Sequence, residues 1–273
     1  MRAVLFLCLL LLSGVAAAEP LRVAVSVLPQ KTFVEGVGGD AVQVQVVVGR
    51  GYDPALYQPT PRQLAQLARV QLYVRAGVPF ERGWLGRFRQ LNPRMEVLDM
   101  RQGLPLIPDE SGQSDPHVWT DPRLMIHHVT LLRDALIALD PAHAETYRRG
   151  HRELTARLTT LDAELERQLA PVKGKSFLVF HPAWSYFARR YGLHQLSVEH
   201  EGKAPNARTL ARLIDEARRL KIRTILVQPQ HPARSARVVA DAIGARVVEV
   251  DPLSEDYFGT LRRLAAVLTG EEE

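Results

Sequence analysis

Four short segments place a titratable or ligating side chain directly before a proline. They are Asp115-Pro116 inside DPHVWTDP (115–122), His181-Pro182, His231-Pro232 and Asp251-Pro252. Proline biases the preceding residue toward extended backbone and suits the first turn of a following helix. Side chains in such positions are held in short, stiff loops near helix N-termini. Two imidazoles, His117 and His181, together with the Asp251 carboxylate suit a divalent transition metal if their loops converge. Imidazole is a borderline nitrogen donor and the carboxylate supplies charge. No HExxH or CxxC spacing is present, so such ligands must meet through the fold. The competing reading makes His117 and His181 capping or core-edge histidines and Asp251 an N-cap.

The elements that must position these loops read as α/β, twice over. Residues 21–28 alternate as LRVAVSVL and 42–48 are valine-rich, which predicts two strands around a short helix at 30–38. Thr60, Pro61 and Gln63 form a capping box with proline at the first helical position. A strand at 70–74, a helix at 80–90 and a strand at 95–99 follow. This rhythm implies a mostly parallel sheet covered on both faces. Asp121-Pro122 opens a helix with Leu124, Leu131, Ala135 and Leu139 on one stripe. A longer helix then carries Leu154, Leu158, Leu161, Leu165 and Leu169 at three- and four-residue steps. It spans about thirty residues, roughly 45 Å, and reads as a rigid connector. Strands at 176–180, 193–198, 223–228 and 246–250 alternate with helices to the chain end. In open parallel sheets, ligands bind beyond the carboxyl ends of strands, and His181, His231 and Asp251 all follow strands.

The chain has 273 residues, 46% of them hydrophobic and 24% charged, which argues against disorder. A net charge of +5 comes from scattered arginines with no basic run, so no nucleic-acid partner is expected. Residues 1–18 read as a secretory signal peptide: Arg2, a short apolar stretch, then Ala16-Ala17-Ala18 as the cleavage site. The single cysteine, Cys8, lies inside the apolar stretch and not at the cleavage point, so the reading is a soluble periplasmic protein and not a lipoprotein. The mature chain then has no disulfide and no thiolate chemistry. The predicted organisation is signal peptide 1–18, N-terminal α/β lobe 19–139, connecting helix 140–171 and C-terminal α/β lobe 172–273.

The chain resembles the solute-binding proteins of zinc and manganese ABC importers over essentially its whole mature length. The resemblance rests on DPHVWTDP (115–122), FHPAWSYFARRYGL (180–193), EGKAP (201–205), VQPQ (227–230), DPL (251–253), YDPALYQPTPRQLAQL (52–67) and GVPFERGW (77–84). It implies two α/β lobes bridged by one long helix. It implies one metal ion held in the cleft between them and delivered to an ABC permease in the inner membrane by a monomeric, non-catalytic protein; two nitrogen ligands lean toward zinc ahead of manganese. It also implies His117, His181 and Asp251 as ligands.

One departure stands out. The family's first ligand is a histidine in a stretch that here reads Asp53-Pro54-Ala55-Leu56-Tyr57-Gln58-Pro59-Thr60-Pro61, with Ala55 at the ligand position. Water is one replacement. His231, His200 and Gln58 are the substitute donors, and each is also readable as a surface or loop residue. Trp119, Trp184 and Tyr186 are candidates for the cleft wall or for core packing, and Lys203 for an anion contact. The remaining histidines, 127, 128, 143, 151 and 194, read as solvated or packing residues. Three functions follow: a metal-binding importer component, a metal-dependent hydrolase or oxygenase, and a metal-independent or degenerate relative binding another ligand or a protein. No GxSxG, P-loop or GxGxxG is present and no motif positions a general base, so the first is the expectation.

Overall fold

The alternating segment forms strand β1 (Leu21–Val27), in which every residue except Arg22 is buried. A strand hidden on both faces belongs in a parallel sheet. The computed structural model of the chain describes residues 19–109, 112–199, 205–231 and 234–271. The expected signal peptide at 1–18 and the candidates His200 and Lys203 lie outside the described residues.

β1 pairs in parallel with β2 (Val42–Val48) on one side and β3 (Leu72–Arg75) on the other, and β3 pairs with β4 (Glu96–Asp99). The order is β2-β1-β3-β4. The second sheet comprises β5 (Ser176–Val179), β6 (His194–Ser197), β7 (Thr224–Val227) and β8 (Arg246–Glu249), also all parallel. Its order is β6-β5-β7-β8, the same winding pattern as the first. Helices α1 (Leu28–Gly38), α2 (Pro61–Leu67), α3 (Phe80–Leu91) and α4 (Pro122–Leu139) accompany the first sheet. Helices α6 (Ser185–Tyr191), α7 (Ala207–Arg219) and α8 (Arg234–Ile243) accompany the second.

Between them a helical run spans 141–172: a 3-10 turn, α5 (Ala144–Leu169), and a second 3-10 turn. The expected leucine stripe of α5 is buried at every position, Leu154 to Leu169. The final helix, α9 (Tyr257–Thr269), packs on α5, and Tyr257 meets Phe33 of α1 edge-on at 4.9 Å. On α4 the buried face is Met125, Val129, Leu132 and Leu136, one residue on from the expected stripe of Leu124, Leu131, Ala135 and Leu139, which is only half-buried. The helix is apolar over more than one face, so its periodicity admitted two solutions. Packing against α1 and α5 selects between them.

Local signals close the turns. Thr60 Oγ1 accepts from Gln63 N at 3.3 Å as the capping box predicts. Gln30 turns β1 into α1 by accepting from Ser26 N at 2.9 Å and Val27 N at 3.1 Å. The buried Glu81 carboxylate gathers Ala76 N, Gly77 N, Ser26 Oγ and Arg75 Nε, with contacts of 2.6–3.0 Å, and so ties the end of β3 to β1. A carboxylate withdrawn from water this completely is stable only because each donor is supplied.

Two sites report on this packing. A methyl group at Gly150 of α5 would run into the backbone carbonyls of Gly36 and Val37 on α1. Backbone cannot step aside as a flexible side chain does, so Gly150→Ala is expected to destabilise by about 1–3 kcal/mol. That lowers Tm by about 2–4 °C per kcal/mol, readable by calorimetry. His128 of α4 is wholly buried, with no hydrogen-bond partner among the described residues, and its pKa is pushed down to about 3 by burial and by the charge of His127. The unfolded chain takes this proton near pH 6.5 and the folded chain refuses it until about pH 3. Stability from this site is therefore complete above pH 6.5 and falls as pH drops toward 3. His128→Leu is expected to flatten that acid limb in urea titrations run across this range.

Candidate metal centre

The loops after β5, β6 and β7 meet on one side of the second sheet. His181 follows β5, Glu199 follows β6 and His231 follows β7. Their positions are fixed by hydrogen bonds within that sheet. His181 N donates to Gln228 Oε1 at 3.3 Å, and Gln228 Nε2 donates to the His181 carbonyl at 3.0 Å. Glu199 N donates to the Phe180 carbonyl at 2.9 Å, and His231 N to the Gln228 carbonyl at 3.2 Å. Gln228 is buried and joins two of the three loops.

The resulting side-chain geometry is tight. The rings of His181 and His231 stack at 4.6 Å with a 19° interplanar angle. Glu199 Oε2 lies 3.2 Å from His181 Nδ1 and 3.9 Å from His231 Nδ1. One ligand atom from each of His181, Glu199 and His231 falls within 4.8 Å of the others, close enough to hold one metal ion. Among the described residues this is the one such group of His, Cys, Asp or Glu side chains.

His117 approaches from the other lobe. It precedes the 3-10 turn Val118–Thr120 that leads into α4. Asp115 Oδ1 receives both its backbone N–H, at 2.9 Å, and its Nδ1, at 2.7 Å. This bond directs Nε2 away from Asp115 and fixes the ring plane. The His117 ring lies 5.3 Å from that of His181 and 5.2 Å from Trp119. Tyr186 of α6 donates to the Asp115 carbonyl at 2.9 Å, and Trp119 Nε1 donates to the Pro252 carbonyl at 2.9 Å, so the His117 loop is bonded at two points to the second lobe.

The electrostatics favour a cation. Burial resists ionisation of Glu199, but the hydrogen bond from His181 and the neighbouring imidazoles of His181, His231 and His117 hold its carboxyl below the usual range. Burial and the neighbouring His181 push His231 down, opposed by Glu199 and Asp53. Asp115 is treated like Glu199: burial resists, and the His117 charge with hydrogen bonds from His117 and Ser185 lowers it. The carboxylates are thus ionised and His231 is neutral near pH 7, the states a metal ligand needs.

The structure brings His117, His181 and His231 together and adds Glu199, which the sequence did not single out. Asp251 follows the edge strand β8, and its Oδ1 accepts from Leu253 N at 2.8 Å and from Gln230 Nε2 at 3.0 Å. Gln58 is exposed in the loop before α2, and Ala55 is exposed with its N–H on Asp53 Oδ1 at 2.7 Å. Trp119, Trp184 and Tyr186 are buried. The signal for Glu199 lay in its place directly after a predicted strand, beside the better-marked His200.

Known proteins share this architecture. A family model described as zinc-uptake complex component A, periplasmic, matches residues 23–270. A crystal structure of ZnuA is 36% identical, covering 92% of this chain and 98% of the other, with a TM-score of 0.89. A ZnuA deletion mutant with zinc bound is also 36% identical, covering 92% and 97%, with a TM-score of 0.87. The iron-binding protein YfeA of Yersinia pestis is 27% identical over 251 residues, 87% of this chain and 79% of that protein.

Glu199→Gln keeps the shape of this cluster and removes its charge. The expected result is a still lower His231 pKa, read as the midpoint of its imidazole resonances in an NMR pH titration. An unchanged midpoint would show that Glu199 does not face His231.

Proposed function

The chain belongs to the family of periplasmic zinc-uptake component A proteins, and we propose that it captures a divalent transition metal, zinc ahead of manganese, in the cleft between its lobes for an inner-membrane ABC permease. It is a solute-binding protein of a metal ABC importer and not an enzyme. The observation that carries the reading is the convergence of His181, Glu199 and His231 beyond the ends of the second sheet, with the His117 ring of the other lobe 5.3 Å from that of His181. Three imidazoles to one carboxylate favour zinc over manganese, because imidazole suits zinc and carboxylate-rich sets suit manganese. Relatives described as zinc-bound and iron-binding support a transition metal as cargo.

In this reading His231 supplies the imidazole that Ala55 does not. Asp251 acts from behind the site through Gln230. A leader at 1–18, cleaved after Ala18, directs export in this reading, and the mature protein is a monomer. Its mature form divides into lobes at 19–139 and 172–273 joined by the helix at 140–171.

Calorimetric titration of chelator-stripped protein with zinc and then manganese tests this. The expected outcome is one zinc per chain, with manganese weaker. His181→Ala, which removes the central imidazole, is expected to abolish binding. Asp251→Asn, a change behind the ligands, is expected to weaken it about tenfold. Absence of binding at micromolar zinc would sink the reading.

A further inference from the structure

We propose that the second sheet alone forms a sufficient metal half-site, made of His181, Glu199 and His231, and that His117 is a completing fourth donor and not an essential one. The proposal rests on the metal-binding reading above and goes further, since it assigns where the affinity resides and makes Glu199 a ligand.

The geometry points this way for three reasons. The first is completeness. One nitrogen, one oxygen and one further nitrogen already lie within 4.8 Å of one another without any contribution from the first lobe. Glu199 Oε2 lies 3.2 Å from His181 Nδ1 and 3.9 Å from His231 Nδ1, so an ion entering that triangle meets all three side chains with small adjustments. Three protein donors with a remaining open position are a working zinc coordination set.

The second is rigidity. The three loops hang on the reciprocal Gln228–His181 pair, the His231 N–H to the Gln228 carbonyl, and the Glu199 N–H to the Phe180 carbonyl. Each of these bonds joins residues at the ends of β5, β6 and β7, so the triangle holds whatever the first lobe does. Phe180, whose ring lies 5.8 Å from that of His231, backs the outer imidazole.

The third is chemistry. The half-site contains the only carboxylate among the four candidate donors, so it alone offsets part of the charge of the ion. His117 brings a neutral imidazole whose Nδ1 is engaged by Asp115, leaving Nε2 as its single donor atom. Removing it costs one neutral ligand and leaves the charged set intact.

The test compares zinc binding by calorimetry in the purified chain and in His117→Ala, His231→Phe and Glu199→Gln. Cobalt(II) serves as a spectroscopic probe of coordination. Phenylalanine at 231 keeps an aromatic ring against Phe180, and the metal-free melting temperature of each variant checks that it folds. The expected result is one zinc per chain in the wild type and in His117→Ala, the latter weaker by about 10–100-fold with an altered cobalt spectrum. His231→Phe and Glu199→Gln should show loss of binding at the same concentrations. Loss of binding in His117→Ala, or binding retained in either half-site variant, overturns the half-site while leaving the importer reading standing. No zinc binding in the wild type removes both.

Discussion

Strands β6, β5 and β7 lie side by side in that order, and all three point their carboxyl ends the same way. Neighbouring strands are about 4.8 Å apart. Residues directly beyond their ends therefore arrive at nearly the separation that metal ligands require. His181, after the central strand, touches both of the others, with its ring stacked at 4.6 Å on His231 and its Nδ1 at 3.2 Å from Glu199. No long-range docking is needed to assemble them. The spacing of a parallel ladder does it, and the buried amide of Gln228 removes the residual freedom of two loops. The same argument keeps Asp251 outside the triangle. It follows β8, which is two strands from β5, and its Oδ1 is already engaged by Leu253 and Gln230.

The first sheet has the same winding pattern but contributes differently. Its strand ends are used for structure, with Gln30 closing the turn after β1 and Glu81 gathering donors from the ends of β1 and β3. The one imidazole it offers to the cleft comes from the loop ahead of α4, far from its strands in sequence. That loop is braced across the cleft by Tyr186 and Trp119, and the Lys31–Glu255 pair at 2.5 Å ties α1 to the segment preceding α9. Each such hydrogen bond contributes on the order of 1 kcal/mol. Together with α5 and the return of α9 onto it, they restrain the two sheets against wide separation. A small adjustment at His117 fits this framework better than a hinge opening of the whole cleft.

Much of this was legible in the residues. The alternation of LRVAVSVL, the Thr60–Gln63 capping box and the leucine stripe of α5 each specify one local structure, because each pattern is periodic or closes a defined set of hydrogen bonds. His117, His181 and His231 were legible as candidates through the proline-bounded loops that hold them. Glu199 was not. Nothing in Val198-Glu199-His200 distinguishes a candidate ligand from any polar residue leaving a sheet, and the adjacent His200 is the more obvious donor type. What identifies Glu199 is strand order, which places β6 against β5, and a sequence without that order cannot rank Glu199 above Asp251. The buried face of α4 escaped for a related reason, since a helix apolar on several sides leaves the choice to its neighbours.

The charge balance of the cleft completes the argument for a cation. In the proposed site three imidazoles would bind as neutral donors, so a divalent ion among them would keep its full charge apart from the one unit that Glu199 offsets. A second unit left in a half-buried site would be costly unless carboxylates stand close behind. They do. Asp115 lies 2.7 Å behind His117, Asp53 acts on His231 from the first lobe, and Asp251 holds the Gln230 amide beside the same loop. These groups need not touch the ion to matter. Each lowers the cost of placing positive charge in the cleft, and Asp115 also fixes the ring of His117. The loop that carries Ala55 still contributes through Asp53, supplying charge where it supplies no ligand.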